Sequence, residues 1–405
     1  MVNVINILKK KVQRSIAIQN KPPLIFLVRF LLAIWRIFPD SYILLGITRQ
    51  DNSVLKVLIL GDEKNVHYLS TVLYSKKPHK IKAGKVFLYG ILFGKMHFSF
   101  LKVDLVFIIT SFFWHRLLKK KAYFLLPEWV KFSLNVTNNF ENFKKQETLR
   151  HDIRKIYKFK YSYEITSDIN KFNLFYKEMY FPYISDRYGS FANLIDYDDL
   201  KYFFLKGKLL LLKYKNNYIS GVVLVTKKEE IWFLSVGLFK GKENSIKEGA
   251  ISSLYYFAIQ WAKDNGYKWI DFGGTRPFFN DGVFRYKKKL NTEIRKQTEA
   301  VNQYALKIQN LNRSVRAFLA NTPFIIYDKN QCSGMFFIDK DFPVHSEEVE
   351  MFYKRYWTPG LRKMYGISFS GFSNSSYEFV KAHNLKNLEL LEFSSPWSLK
   401  LYAQE

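Results

Sequence analysis

Residues 208–239 read KLLLLKYKNNYISGVVLVTKKEEIWFLSVGLF, which is three apolar runs separated by two short polar turns. Aliphatic runs that are bounded by turn residues such as Lys-Asn-Asn and Lys-Glu-Glu are typical of consecutive antiparallel strands. The stretch therefore predicts a three-stranded meander.

A helix and a fourth strand follow the meander. Apolar residues recur at helical spacing from Ile251 to Ala262, and Asn265-Gly266 supplies a left-handed helix end. YKWIDFGG, residues 267–274, then predicts a buried strand. Together these elements predict a compact α+β unit in which the helix covers one face of the sheet.

Several common enzyme classes find no support in the sequence. Asp271-Phe272-Gly273 matches the magnesium-binding triplet of protein kinases, but no His-Arg-Asp loop or glycine-rich loop with a strand lysine accompanies it. The seven histidines are scattered without the spacing of metal ligands. No nucleophile elbow, Walker loop or dinucleotide fingerprint is present in the required context. No metal is therefore predicted.

The meander, helix and strand resemble the core of the GNAT acyltransferases. Within that superfamily, GYKWIDFGGTRPFFNDGVFRYKKKLN, residues 266–291, is similar to the Fem-type peptidoglycan bridge-forming transferases and to GNAT relatives of polysaccharide loci. LRHDIRK from Leu149 resembles the basic helix that precedes their transferase core. The resemblance covers roughly residues 125–295. The matching positions are Gly273, Gly274, Gly282, Val283, Tyr286 and Lys287, with Tyr for the usual Phe.

The resemblance implies an α/β (α+β) protein of three segments. Residues 135–295 would form the GNAT-like core, and residues 1–134 an N-terminal α/β lobe that could be a degenerate repeat of it. Residues 296–405 would add a C-terminal α/β extension, which either is a third small domain or completes the N-terminal lobe. Residues 292–320 are charged and compatible with a helix.

Acyl transfer to an amine requires a neutral nucleophile beside an activated carbonyl and donors for the oxyanion that forms. Ser235, Val236 and Gly237 lie where the third meander strand is expected to part from the fourth. Gly237 either lets the donor approach closely or is needed only for a bulge. Asp271 either takes a proton from the incoming ammonium or hydrogen-bonds the loop that follows it. Tyr286 is expected to line the site.

The resemblance also implies where the acyl donor binds. A coenzyme A pyrophosphate would lie at the N-terminus of the helix from Ala250. The loop only loosely matches the family pattern, so the co-substrate is either acyl-CoA or aminoacyl-tRNA, with no tightly bound cofactor. The donor-binding candidates are Val236, Gly241, Lys242, Lys247, Gly249 and Ala250.

Acceptor binding is assigned to basic and glycine positions. Arg150 and Arg154 are one helical turn apart and form either a phosphate clamp or a solvated face. Arg276 would hold an acceptor phosphate bidentately, and Gly273, Gly274 and Lys287 complete the predicted acceptor site.

The net charge and the pattern of apolar residues indicate which partners the protein binds and where in the cell it lies. The formal charge of +28 favours phosphate-bearing partners, including tRNA. A single cysteine, Cys332, excludes an intramolecular disulfide and fits a reducing compartment. An apolar helix is predicted over residues 24–38, and it either lies in a membrane surface or packs on a sheet. We expect a cytoplasmic protein with peripheral contact at the inner face of the membrane.

The sequence therefore predicts a GNAT-type transferase that moves an acyl or aminoacyl group to an amine, or secondarily a hydroxyl, of a cell-envelope or polysaccharide precursor. Two alternatives remain open. One is a peripheral membrane aminoacyltransferase that uses aminoacyl-tRNA and acts on lipids, and the other is a GNAT-fold binding protein without activity.

Overall fold

A computed structural model describes most of the chain between residues 38 and 393. The predicted apolar helix lies outside the described residues except for Phe38, and Lys242 lies outside them as well. The described ranges are 38–49, 51–88, 90, 101–111, 114, 118, 123–137, 147–189, 194–241, 246–295, 302–328 and 331–393.

Strands and helices alternate along the described chain, and the predicted α/β class is confirmed. The strands are β1 (Asp40–Ile47), β2 (Val54–Leu60), β3 (His79–Lys85), β4 (Leu105–Ser111), β5 (Phe124–Pro127), β6 (Val130–Asn135), β7 (Ser162–Thr166), β8 (Gly207–Tyr214), β9 (Asn217–Lys227), β10 (Glu230–Leu238), β11 (Trp269–Thr275), β12 (Glu293–Arg295), β13 (Asn302–Ile308), β14 (Phe324–Asp328), β15 (Gln331–Ile338), β16 (Met364–Ser368) and β17 (Leu388–Glu392). The α-helices are α1 (Glu63–Leu73), α2 (Glu147–Phe159), α3 (Ile169–Leu174), α4 (Phe181–Tyr188), α5 (Tyr197–Phe204), α6 (Ala250–Asp264), α7 (Gly282–Lys289), α8 (Arg313–Asn321), α9 (Ser346–Tyr356) and α10 (Asn374–Ala382). A π-helix, Phe175–Tyr180, joins α3 to α4. Among the described residues, none of these helices combines the length and the apolar character that crossing a bilayer requires.

The chain divides into two compact units. The first contains residues 1–130, 276–284 and 296–405, and the second contains residues 131–275 and 285–295. The predicted core, residues 135–295, is interrupted in this division at residues 276–284, and β13 pairs with β4 and β5 in the sheet of the first unit. The helical expectation for residues 302–308 is wrong for the same reason.

The predicted meander forms β8, β9 and β10 of the second unit. Each strand pairs antiparallel with the next. Lys215 and Asn216, at φ 46° and 63°, make the left-handed turn that suits a two-residue hairpin loop. The seven-stranded sheet has the order β12-β6-β11-β10-β9-β8-β7. The predicted helix and fourth strand are α6 and β11.

Helices cover both faces of this sheet, which explains why the four leucines from Leu209 to Leu212 are all buried. Leu210 and Leu212 face a core that includes Leu149 of α2 and Leu254 of α6. Leu209 and Leu211 point to the opposite face. There they share a core with Phe172, Phe175, Met179, Leu200 and Phe204, which lie on α3, the π-helix and α5.

The first unit contains two sheets. One is a six-stranded sheet with the order β3-β1-β2-β4-β13-β5, and the other is a four-stranded sheet with the order β14-β15-β16-β17. α1 packs on the six-stranded sheet, because Val66, Leu69 and Leu73 share a core with Leu44 of β1 and Val57 of β2.

A cluster of charged side chains at the β7 edge of the seven-stranded sheet provides a test of pH-dependent stability. Glu164 pairs with Lys171 and with Lys213, whose Nζ lies 2.6 Å away, and it accepts a 2.7 Å hydrogen bond from the Tyr218 hydroxyl. The hydrogen bonds from the two lysines lower the pKa of Glu164 from its ordinary 4.5 to about 2.

We predict that in Glu164→Gln the free energy of unfolding decreases less at acid pH than it does in the wild type. Because the pKa of Glu164 is lower in the folded state, its contribution is complete above pH 4.5 and disappears as the pH falls towards 2. Urea unfolding of both proteins at about pH 5 and about pH 3 would measure this. An equal loss of stability in the two proteins between those pH values would contradict the prediction.

Candidate active site

β10 and β11 run in parallel and part soon after they begin. Their pairing consists of Glu230 with Trp269, Ile231 with Ile270 and Trp232 with Asp271. Both strands continue beyond these pairs, β10 to Leu238 and β11 to Thr275. The predicted parting of the third meander strand from the fourth is therefore present.

A β-bulge lies in β10 just after the parting. The register with β9 shifts between Leu234 and Val236, and Ser235 has φ 60°. A bulge bends its strand and increases the local twist. The bulge therefore lies at Ser235. The sequence had suggested Gly237, two residues later, as its possible position. Val236 packs with its side chain against the core under α6.

Gly237 is required by packing against the π-helix. A Cβ at this position would lie 2.7 Å from the backbone N of Tyr180 and 2.8 Å from the carbonyl C of Met179. Contacts this short with backbone atoms cannot be relieved by a side-chain rotation. Close packing by the π-helix therefore explains why residue 237 is a glycine. Only the backbone of Gly237 could take part in catalysis.

The π-helix also places a phenol beside the bulge. The hydroxyl of Tyr180 accepts a 2.9 Å hydrogen bond from the N–H of Ile195. Burial raises the pKa of Tyr180, and hydrogen bonds with Ile195 and with the Ser235 side chain oppose that rise. Tyr180 was not among the predicted site residues, because a helix with π-type pairing has no composition signal that distinguishes it from an α-helix.

Asp271 is committed to two structural contacts. Its Oδ1 accepts a 2.8 Å hydrogen bond from the N–H of Gly273, and its Oδ2 lies 2.7 Å from the Nζ of Lys131 on β6. Of the two predicted roles, the geometry favours the one in which Asp271 holds the following loop. Lys131 was missed, because the insertion of β6 beside β11 depends on a pairing between strands far apart in sequence.

Lys287 holds the end of β11. It is 3% exposed, and its Nζ donates hydrogen bonds to the carbonyls of Gly273 and Gly274 at 3.1 and 3.0 Å. Gly273 has φ 74°, which favours glycine at this position. The structure therefore brings together three predicted acceptor-site residues, Lys287, Gly273 and Gly274, although Lys287 serves there as a clamp on the strand.

The neighbours of Lys287 on α7 are partly buried. The ring of Tyr286 packs edge-to-face on Tyr255 with 5.2 Å between centroids, and burial raises the pKa of its hydroxyl. Burial lowers the pKa of Lys288 to about 8, and the Nζ of Lys289 lies 2.7 Å from Asp152. Tyr286 is therefore placed in a helix packing contact.

The predicted donor loop leads into α6. Gly249 has φ 91° and precedes Ala250, the buried first residue of the helix. The Nζ of Lys155 donates a 2.5 Å hydrogen bond to the carbonyl of Lys247, which anchors this turn to α2. Gly241, at φ 61°, ends the short helical turn after β10.

A basic groove runs between α2 and the turn before α6. Its volume is about 400 Å³. Four of its residues carry positive charge and one carries negative charge. Arg154 is in the groove, whereas Arg150 is exposed one turn earlier on α2 and does not line it. The lining residues are His151, Arg154, Lys155, Lys158, Phe159, Lys247 and Glu248.

Arg276 does not have the position predicted for a phosphate ligand. It belongs to the first unit, where its Nη1 lies 3.2 Å from Glu128 and 3.1 Å from the amide oxygen of Asn65. The guanidinium also lies over the rings of Trp129 and Tyr68, at 4.1 and 4.6 Å from their centroids. A carboxylate and two aromatic faces thus hold this cation, which corrects the prediction.

We predict that Gly237→Ala destabilises the second unit. The new methyl group must displace the backbone of the π-helix, which costs about 1–3 kcal/mol. Gly282→Ala is the matched control, because nothing lies within 4 Å of its added Cβ and its φ is not in the left-handed region. Denaturant unfolding of the two variants would measure the difference, and equal midpoints would contradict the packing described for Gly237.

No protein-family model matches this chain, and no curated protein sequence matches it. Among solved structures, it is similar to the C-terminal domain of a putative lysylphosphatidylglycerol synthetase from Agrobacterium fabrum, at 10% identity and TM-score 0.34, over 67% of this chain and 81% of that one. It is similar to L-PGS from Bacillus licheniformis at 13% identity and TM-score 0.33, over 69% and 84% of the two chains. It is similar to FemX at 13% identity and TM-score 0.33, over 65% and 83%. Alignments with scores this low do not establish a shared fold.

Proposed function

We propose that this protein is a GNAT-type transferase that moves an acyl or aminoacyl group to an amine, or secondarily a hydroxyl, of a phosphate-bearing cell-envelope or polysaccharide precursor. The observation that carries the proposal is the parting of β10 from β11 after three residue pairs, next to the bulge at Ser235. A flat, fully paired sheet would offer no such opening to a substrate.

In this proposal the acyl carbonyl of the donor lies between the parted strands. Backbone N–H groups from Ser235 to Gly237 stabilise the oxyanion, because preorganised amides in a site shielded from water cost little reorganisation when charge develops. The acceptor amine approaches from the β11 side, where Asp271 fixes the loop at Gly273. Lys287 keeps the carbonyl end of β11 in place.

Phosphates of the donor would lie at the start of α6 and in the basic groove. The amides of the first helical turn and the helix dipole favour an anion at Ala250. Arg154 and Lys158 are four residues apart on α2 and both line the groove, so that they can contact neighbouring phosphates. Both acyl-CoA and aminoacyl-tRNA meet these requirements, and both are candidates. Arg276 has no part in the proposal, because Glu128 pairs with its guanidinium.

Native mass spectrometry of the protein as purified tests for retained coenzyme A or tRNA. Thermal shift with acetyl-CoA and with bulk charged tRNA is the companion measurement, since a ligand that binds only the folded protein raises its melting temperature. We expect stabilisation by one of the two donors. No retained ligand and no shift with either would favour a GNAT-fold binding protein over a transferase.

We predict that Arg154→Glu combined with Lys158→Glu weakens binding of the stabilising donor by more than about tenfold, because reversing the charge of two phosphate contacts costs well over 1.4 kcal/mol. Lys206→Glu with Lys208→Glu is the matched control, since both of these lysines are exposed and lie outside the groove. Titration of donor at two salt concentrations would measure the affinities. Equal weakening in both double variants would show that only overall charge matters.

We further predict that Asp271→Asn keeps the rate of transfer within about threefold of the wild type once a substrate pair is known. An asparagine can still accept the hydrogen bond from the Gly273 N–H, whereas loss of a general base would cost about 10²–10⁴-fold. Steady-state kinetics of the variant and of Lys131→Met would separate these roles. A fall in kcat of a hundredfold or more confined to Asp271→Asn would assign it the proton transfer.

A further inference from the structure

The outer face of β1, β2 and β3 in the first unit exposes a patch of aliphatic side chains. Leu45, Ile47, Val54 and Ile81 are 41%, 47%, 62% and 49% exposed. Ile47 is paired with Val54, and Ile43 is paired with Ile81, so these side chains point to the same face. We call Leu45, Ile47, Val54 and Ile81 the aliphatic patch.

The aliphatic patch is the uncovered end of a face that is otherwise buried. Further along the same face, Leu58 shares a core with Leu88 and Val103, and Ile43 packs at its margin. On the opposite face, Leu44 and Val57 are fully buried beneath α1. A contiguous group of exposed aliphatic side chains on a sheet is typical of a surface that binds a partner, because exposing these side chains to water raises the free energy of the protein.

Two aromatic rings flank the strands of the patch. Phe38 and Phe87 stack with 4.9 Å between centroids and are 57% and 45% exposed. Phe38 lies just before β1 and Phe87 just after β3. Exposed apolar surface is therefore also present at the opposite end of β1 from Ile47.

The chain segment that contains β3 is basic. No Asp or Glu occurs between Lys64 and Val103. Lys80 is paired with Glu63 and Lys82 with Asp40, so the rim charge rests mainly on Lys76, Lys77 and Lys85, which are exposed. These three lysines precede or end β3, the edge strand of the sheet.

We propose that the aliphatic patch and its lysine rim bind the surface of an anionic lipid bilayer. Aliphatic side chains enter the boundary between headgroups and acyl chains, while lysines contact the anionic headgroups. A protein partner fits less well, because protein interfaces are depleted in lysine and enriched in tyrosine, tryptophan and arginine. The inference is independent of the proposed acyl transfer, and it uses residues other than the apolar segment before Phe38.

Flotation of the full chain with vesicles tests the proposal. The vesicles consist of phosphatidylcholine with or without phosphatidylglycerol. We expect flotation only with phosphatidylglycerol. The combined variant Ile47→Thr, Val54→Thr and Ile81→Thr keeps β-branched side chains in the strands and should reduce partitioning by at least about tenfold. Its matched control is Leu205→Gln, Leu311→Gln and Met351→Gln, which changes three exposed apolar residues elsewhere and should leave partitioning unchanged.

The charge of the rim is tested separately. Lys76→Glu with Lys77→Glu should weaken partitioning by more than about fivefold for each lysine, and less at high salt. Lys381→Glu with Lys386→Glu changes two exposed lysines of the same unit and serves as the control.

Four outcomes would overturn the proposal. The wild type could fail to float, or it could float with a strength that the triple threonine variant does not change. Sedimentation without vesicles could show a dimer that the triple variant dissociates, in which case a second copy covers the patch. The triple variant could also lower the melting temperature strongly, which would mean that the protein's own chain covers it.

Discussion

The second unit depends on one constraint, which is that β10 pairs with β9 to its end but with β11 over only three residues. The bulge at Ser235 and the close contact between Gly237 and the π-helix lie on the part of β10 that has left β11. Packing on one side therefore fixes the direction of β10 after the bulge. The early end of its pairing with β11 is a consequence of the fold.

Polar contacts hold the last part of β11. Gly273 and Gly274 have no side chains to pack, and contacts from Asp271 and Lys287 hold their backbone before β11 ends at Thr275. Lys131 pairs with Asp271 from β6, so the carboxylate is compensated where it is buried. A strand end secured in this way can present its backbone to a substrate without an apolar side chain in the path.

Sequence patterns predicted the parts of the fold that are local. The meander, α2, α6 and β11 follow from apolar runs, helical periodicity and turn residues within short windows, and all are present. The insertion of β6 beside β11 and the pairing of β13 with β4 and β5 join segments more than a hundred residues apart, and no window contains that information. Arg276 was misplaced for a related reason, since its partner Glu128 is distant in sequence.

The excess of positive charge has a different meaning at different positions. Lys131, Lys287, Lys289 and Arg276 are buried or partly buried and are engaged by carboxylates or carbonyls, so they stabilise the units and cannot be counted as ligand contacts. Arg154 and Lys158 in the groove, and Lys76 and Lys77 at the rim of the aliphatic patch, are exposed. Exposed charges contribute little to stability, because water and salt screen them. In the proposed binding of donor and bilayer, these exposed charges therefore contribute more than they contribute to folding. An aromatic side chain and a helix start lie beside them in the groove, and aliphatic side chains lie beside them at the patch.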